Sequence, residues 1–327
     1  MIELHHLTKR YKDTPALEDF TVSIPKGRIG LLGPNGAGKS TLMKILVGLI
    51  RPSSGSASVM GLDVVEESTE VKRKLGFMPE YDCLPSEYTG IDFVSDMGRM
   101  CGYSYATAMQ RAHEVLQYLG MGDERYREIK TYSQGMKQKV KLAQSIIHDP
   151  KVMLFDEPTA GLDPFAREDM LETISEIAAK NDSSFILSTH ILHDVERICD
   201  HVILINKGRL VVSDNIDELI DQYASFIKVV VTRRREEFAK ALREEGLTVQ
   251  LEGDAILVKR SVDHYPSHEI FSVAASLGVS IRQITDKAAD LDQIYLRYMR
   301  DEKKKFDLIG EENGEEKSIL AAGGVRP

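Results

Sequence analysis

"GPNGAGKST" (residues 33–41) lies between two apolar stretches, "RIGLL" (28–32) before it and "LMKILVGLI" (42–50) after it. The spacing G-x-x-x-x-G-K-[ST] between a predicted strand and a predicted helix marks a phosphate-binding loop, and the flanking elements make the match specific. Gly33, Gly36 and Gly38, with Asn35 and Ala37 in the same loop, let backbone N–H groups turn inward around phosphate without a side-chain clash. The amino terminus of the following helix adds partial positive charge. Lys39 bridges the terminal phosphates of a nucleoside triphosphate, Ser40 is placed to ligate Mg²⁺, and Thr41 reaches a more interior phosphate. Leu42, Ile45, Leu46 and Leu49 give the helix its predicted apolar face.

"VMLFDEPTAGLDP" (152–164) supplies the matching acids. Asp156, at the carboxyl end of a buried strand, holds Mg²⁺ directly or through water. Glu157 follows it, where a carboxylate orients and deprotonates attacking water; a second metal contact or a surface acid is the alternative reading. A buried strand running into two carboxylates is costly unless a cation compensates. His190 closes the strand "SFILST" (184–189), where ligand-facing side chains stand in an open α/β sheet, although taken alone a histidine there is more often a satisfied structural residue. The other eight histidines read as structural or solvated.

Outward from these motifs, residues 2–31 alternate apolar runs and turns as strands do, and the chain then switches to strand-then-helix units with short buried parallel strands. Pro164 behind Asp163 opens a helix over 164–180, the insert 81–150 reads as mostly helical, and "HVILINKGRLVVS" (201–213) is a hairpin turning at Asn206, Lys207 and Gly208. From Phe226 the order is β-α-β-β-α-β, the split pattern of ferredoxin-like domains, with Ile270, Phe271, Ala274 and Leu277 on its second helix face. A last helix aligns Leu291, Ile294, Tyr295 and Tyr298. From Asp301 the chain is charged and aperiodic, as in a disordered tail. The expected domains are 1–222, with its helical insert, and 226–300.

The chain has 327 residues, 42% of them hydrophobic, enough for two cores. No run reaches the roughly 18 to 20 apolar residues that cross a bilayer, and the amino terminus lacks the apolar core of a secretion signal, so a cytoplasmic location is expected. A net charge of -9 disfavours nucleic acid or an anionic membrane as direct partner. The basic run Arg233, Arg234 and Arg235 reads as a solvated loop. Cys83, Cys101 and Cys199 lack paired spacing and read as reduced thiols, mostly in the core.

With the lysine loop, the acidic pair, His190 and "YSQGMKQ" (132–138) in place, the sequence resembles an ATP-binding cassette (ABC) ATPase, closest in kind to the ATP-binding subunits of bacterial exporters. The resemblance is specific over about 1–220 and looser to about 300, where such subunits often carry an accessory domain. It implies a P-loop α/β fold with an antiparallel β subdomain and a helical insert, and a small ferredoxin-like α+β domain behind it. It also implies ATP and Mg²⁺ as ligands, a second ATP-binding subunit, with a homodimer expected, and a transmembrane permease subunit as the only membrane contact. Tyr11 would stack on adenine; Ser133, Gln134 and Gly135 would grip the γ-phosphate; Asp163 would link two active sites; His190 would contact γ-phosphate. In that family the serine loop completes the site of the opposite cassette, so the missing half of "YSQGMKQ" is the "GPNGAGKST" of a second copy.

Two departures stand out. The family's "LSGGQ" reads "YSQGM" here, keeping the serine and second glycine, and "GFMPEYDCLP" (76–85) places Glu80 where a glutamine is usual. A carboxylate there meets Mg²⁺ or water but adds like charge near Asp156. Leu84, Tyr88, Ile91 and Phe93, in the insert segment from Tyr81 to Met100, read equally as a docking face for the permease and as ordinary core. A soluble ABC ATPase acting on ribosomes or DNA is the alternative reading, but two fused cassettes, a coiled-coil insert and a basic linker are all missing. Nothing in the carboxyl domain marks a ligand pocket.

Overall fold

The structure, a computed structural model, describes residues 1–223, 226–260, 265–287 and, between 291 and 299, all but 293 and 297. The expected tail from Asp301 lies outside the described residues. The chain divides into two compact units, Met1–Asn215 and the residues from Ile216 onward.

In the first unit β1 (Ile2–Tyr11), β2 (Thr14–Ile24), β3 (Arg28–Leu32), α1 (Lys39–Leu46), β4 (Ser54–Val59), β5 (Leu62–Asp63), α2 (Ser68–Lys74) and β6 (Leu75–Met78) come first. The helical insert follows as α3 (Gly90–Met100), α4 (Tyr105–Tyr118) and α5 (Gln134–Ile146). Next come β7 (Val152–Asp156), α6 (Pro164–Asn181), β8 (Ser184–Thr189), α7 (Leu192–Ile198), β9 (His201–Asn206) and β10 (Arg209–Asn215).

An antiparallel sheet in the order β2-β1-β4-β5 forms one layer, and a six-stranded sheet in the order β10-β9-β3-β8-β7-β6 forms the other. In the larger sheet β9, β3, β8, β7 and β6 run parallel and β10 pairs antiparallel on the edge. Every residue of β7 and β8 is buried, which is why these strands read as unbroken apolar runs rather than alternations. Because β3, β6, β7 and β8 are parallel, the segments that follow them leave the sheet at the same edge. Those segments carry the phosphate loop, Glu80, Glu157 and His190. The topology thus collects residues from four distant parts of the sequence.

Local chemistry sets the boundaries. Asp163 caps α6, accepting from the N–H groups of Phe165 and Ala166 at 3.0 Å, with Pro164 in the first turn. The β9–β10 turn is Lys207 and Gly208, with φ of 47° and 76°, the pairing of a two-residue hairpin. α1 stops at Leu46, short of the expected face. Gly48, at φ 67°, donates to Ile45 O while Leu49 N donates to Lys44 O, a Schellman cap that leaves Leu49 55% exposed.

The insert settles the even reading of its apolar residues in part. Ile91 and Phe93 are buried among α3, α4 and α5, whereas Tyr88 is exposed and Leu84 half-buried. The cysteines differ from expectation: all three are free thiols, but Cys83 and Cys101 are exposed and Cys199 alone is buried.

The second unit holds α8 (Ile216–Tyr223), β11 (Phe226–Val231), α9 (Arg235–Glu244), β12 (Val249–Glu252), β13 (Ala255–Lys259), α10 (Ser267–Leu277) and β14 (Ile281–Lys287). Its sheet, β12-β13-β11-β14, is antiparallel throughout with the first and third strands central, the ferredoxin-like arrangement. Ile227, Val229, Phe238, Leu242, Ile256, Val258 and Ile270 form its core. On α10 the buried set is Ile270, Val273 and Ala274; Phe271, expected on that face, is 53% exposed because position i+1 turns away from it. Leu291 and Ile294 are both buried on a helical segment. The basic run spans the end of the β11–α9 loop and the first residue of α9, where Arg234 pairs with Glu237 and Arg235 donates to Gly253 O.

Candidate nucleotide site

The phosphate loop is wedged in place by close packing. A Cβ on Gly33 would stand 2.3 Å from Ile205 O and one on Gly38, where φ is 109°, 2.4 Å from Ala16 O, so neither position admits a side chain. Gly208 of the hairpin turn braces the loop by donating to Ala37 O at 2.8 Å. Gly38 precedes α1 and no side chain caps it, so the first N–H groups of the helix stay available to an anion.

A cavity of about 340 Å³ opens over this loop, lined by Asn35, Gly36, Ala37, Gly38, Lys39, Ser40 and Thr41 from the loop and by Glu80, Glu157, Ala160 and His190 from the other strand ends, with Ala16 at its side. Lys39 Nζ donates to Gly33 O at 2.7 Å and Pro34 O at 3.3 Å and lies 3.8 Å from Glu157 Oε1. Burial pushes the Lys39 ammonium below its ordinary range, opposed by Glu157, Asp156 and Glu80. Glu157 is 7% exposed with φ at 50°, a left-handed conformation uncommon for a residue with a side chain. Its N–H donates to Ser188 O at 3.0 Å, continuing the β7–β8 ladder while the backbone turns up toward the cavity. With the proton on Nδ1, His190 donates to both oxygens of this carboxylate, at 3.0 and 3.1 Å.

Asp156 is 2% exposed, and its Oδ1 has no hydrogen-bond partner. Asp156 is not part of the cavity lining, whereas Ser40 is; a buried carboxylate oxygen without a partner is costly, and a carboxylate and a hydroxyl are the hard oxygen donors that Mg²⁺ prefers. The residues present therefore fit a magnesium ion. No group of three or more His, Cys, Asp or Glu side chains that could hold a metal by itself occurs among the described residues.

The other sequence candidates lie elsewhere. Tyr11 is 48% exposed with Lys9 over its ring, outside the cavity lining. Ser133 and Gln134 are exposed at the amino end of α5, where Ser133 Oγ caps the helix by accepting from Met136 N at 3.3 Å. Neither they, Gly135 nor Asp163 lines the cavity. These four residues belong together nonetheless. Gln138 Nε2 of α5 donates to Ala160 O, and the Gln134 side chain packs beside Gly161, so the start of α5 and the segment before Asp163 form one surface.

Two features escaped the sequence reading. Thr159 Oγ1 donates to Asp194 Oδ2 at 3.1 Å and Arg167 Nε to Asp194 Oδ1 at 2.7 Å, around an Asp194 that is fully buried. This network pins the segment behind Glu157 to the helix behind His190. On α5, Gln138, Lys141 and Ser145 are buried at i, i+3 and i+7, a polar stripe beside the apolar one through Val140, Ala143 and Ile147. Lysine at the edge of a strong apolar repeat is easily read as solvated, and only the tertiary structure shows it enclosed.

The ABC transporter family model matches residues 17–160. The daunorubicin/doxorubicin resistance ATP-binding protein DrrA of Streptomyces peucetius is 32% identical over 302 residues, spanning 90% of this chain and 91% of that one. The Nod factor export ATP-binding protein I of Cupriavidus pinatubonensis is 32% identical over 222 residues, 68% of each chain. A solved structure of an ATP-binding subunit of an ABC transporter superposes with a TM-score of 0.61 at 31% identity, covering 68% of this chain and 93% of that one. The phosphate loop, the acids at the sheet edge and these relationships agree: the chain belongs to the ATP-binding, ATP-hydrolysing proteins of the ABC transporter family.

Proposed function

We propose that this chain powers export across a membrane through a separate transmembrane subunit, and that two copies close around two ATP molecules. The observation that carries this reading is the separation of its two phosphate-binding features. Lys39, Glu157 and His190 meet in one cavity while Ser133 stands exposed outside it, so the serine has no phosphate to meet within its own chain. A second copy offers one. In the closed pair Ser133, Gln134 and Gly135 contact the γ-phosphate held by the partner, Asp163 joins the two sites, and Tyr11 stacks on adenine.

The hydrolytic step follows from the chain's own groups. Lys39 exchanges its carbonyl partners Gly33 and Pro34 for the terminal phosphates. Glu157 takes the proton of the attacking water, whose oxygen bonds to the γ-phosphorus as the bond to the ADP oxygen breaks. His190 holds that carboxylate through Nδ1. Ser40 and Asp156, with Glu80 as a further contact, would hold Mg²⁺, which when bound neutralises charge on the phosphates. Loss of the γ-phosphate removes the contacts that favour the closed pair, so hydrolysis reopens it.

In this reading the permease makes the membrane contact; no helix among the described residues of this chain is long and apolar enough to cross a membrane. With Ile91 and Phe93 in the core, the apolar set offered as the permease face of the insert reduces to Leu84 and Tyr88. The names of the relatives, with resistance and export in them, favour this reading over a soluble factor acting on ribosomes or DNA. The test is Glu157→Gln at saturating Mg-ATP: a stable dimer by light scattering is expected, and a monomer sinks the mechanism. Replacing Glu80 by Gln alters Mg²⁺ dependence; unchanged dependence and turnover remove Glu80 from the site.

A further inference from the structure

Lys141 is 3% exposed, and among the described residues it makes no ion pair. Its ammonium donates to the backbone carbonyl of Glu80 at 2.9 Å. Burial pushes it below the ordinary lysine range, countered by the charges of Cys83, Asp82, Glu80 and Asp156. An enclosed ammonium without a carboxylate partner costs stability that a methionine of similar length would not. One turn earlier on α5, Lys137 pairs with Asp82 at 3.0 Å. Two lysines on one helix therefore hold the 80–82 segment, whose Glu80 lines the nucleotide cavity.

The same helix begins at Ser133, eight residues or roughly 12 Å of helix rise from Lys141. A hydrogen-bonded helix is a rigid element, so a displacement of the 80–82 segment passed to α5 through Lys137 and Lys141 is carried to its first turn. The extra carboxylate at position 80 also gains a nearby cation in Lys141, which offsets the like charge it brings toward Asp156.

We propose that Lys141, assisted by Lys137, is a positioning residue that couples Glu80 at the nucleotide of its own chain to Ser133 at the far end of α5. The occupancy of one site thereby sets the presentation of the serine loop to the other. This rests on the two-copy reading above, and the test separates the two.

The experiment uses the full chain. Lys141→Met is expected to leave the melting temperature unchanged or raised and KM for ATP within about twofold, while kcat falls about tenfold, the worth of one charge-assisted hydrogen bond. Lys141→Arg restores most of the rate. In a Glu157→Gln background, amide hydrogen exchange is followed with and without Mg-ATP. The parent responds both in residues 80–84 and in the first turn of α5, and adding Lys141→Met keeps the first response and abolishes the second. The proposal falls if the α5 response persists in the Met variant, if the parent shows none, or if stability and kcat fall together. Mass measured on the same samples decides the other question. A monomer whose α5 response depends on Lys141 removes the two-copy reading and leaves this link standing; a dimer whose response ignores Lys141 removes the link alone.

Discussion

The polar or charged residues buried as a whole among the described ones all lie in the first unit: Lys39, Lys141, Asp156, Glu157 and Asp194 are each 7% exposed or less, with Gln138 and several hydroxyls beside them. In the second unit the described core is aliphatic and aromatic. Burying charge costs several kcal/mol unless partners repay it, so a fold retains such groups where something besides stability depends on them. In the first unit Lys39 and Glu157 face the cavity at the carboxyl edge of the parallel sheet, while Asp194 and Lys141 bond to the segments that carry Thr159 and Glu80 beside it. The ferredoxin-like unit has the same two ingredients, a sheet and covering helices, and among its described residues they enclose an apolar core.

The largest effect expected from this contrast is on chemistry. Glu157→Gln lowers phosphate release by roughly 10²–10⁴-fold while ATP binding persists, measured by single-turnover hydrolysis. A loss under tenfold moves the base elsewhere. The counterpart in the second unit is Phe238→Ala, a fully buried ring, which costs about 4 kcal/mol of that unit's stability by amide exchange. Turnover of ATP changes less than about twofold in that variant, because no group of the cavity belongs to the second unit. A parallel loss of turnover would break the division of labour.

Smaller, and confined to the first unit, is Asp194→Asn. It keeps the shape but weakens the bonds from Arg167 and Thr159, lowering stability by about 2 kcal/mol. It also loosens His190 relative to Glu157, so kcat falls more than KM rises. If only stability moves, the network is structural.

The sequence made the strand ends legible because their chemistry is local: a glycine loop with lysine, two acids after an apolar run, a histidine closing another. The helix cap at Asp163 and the Lys207–Gly208 turn were legible for the same reason. What escaped depends on packing at long range. Leu49 and Phe271 satisfy an apolar count yet face solvent, since one follows a Schellman cap and the other sits one position off its stripe. Lys141 and Asp194 look like surface charges until α5 and α7 are enclosed by the rest of the unit, and Ser133 looks like an ordinary cap because, within one chain, it is one.

His148 gives the mildest test of the contrast. It sits half-buried just past α5, with Nε2 donating to Leu75 O at 3.0 Å and Nδ1 buried without a partner. Burial holds its pKa below the ordinary 6.5, outweighing the Leu75 carbonyl and Asp149, which act the other way. The folded first unit therefore prefers the neutral ring, while the unfolded chain takes up a proton near 6.5. Below that value the unfolded state binds more protons, so stability is full above pH 6.5 and declines on acidification until the folded pKa is passed. Gln at this position carries the donor without the titration. The stability advantage of the wild type over His148→Gln should shrink as pH falls from neutrality into the fives, by amide exchange resolved for each unit. Exchange in the second unit, which buries no histidine among its described residues, should show no such difference between the two proteins. An equal shift in both units would mean that they unfold together, and the separation of chemistry from packing would then be one of composition and not of energetics.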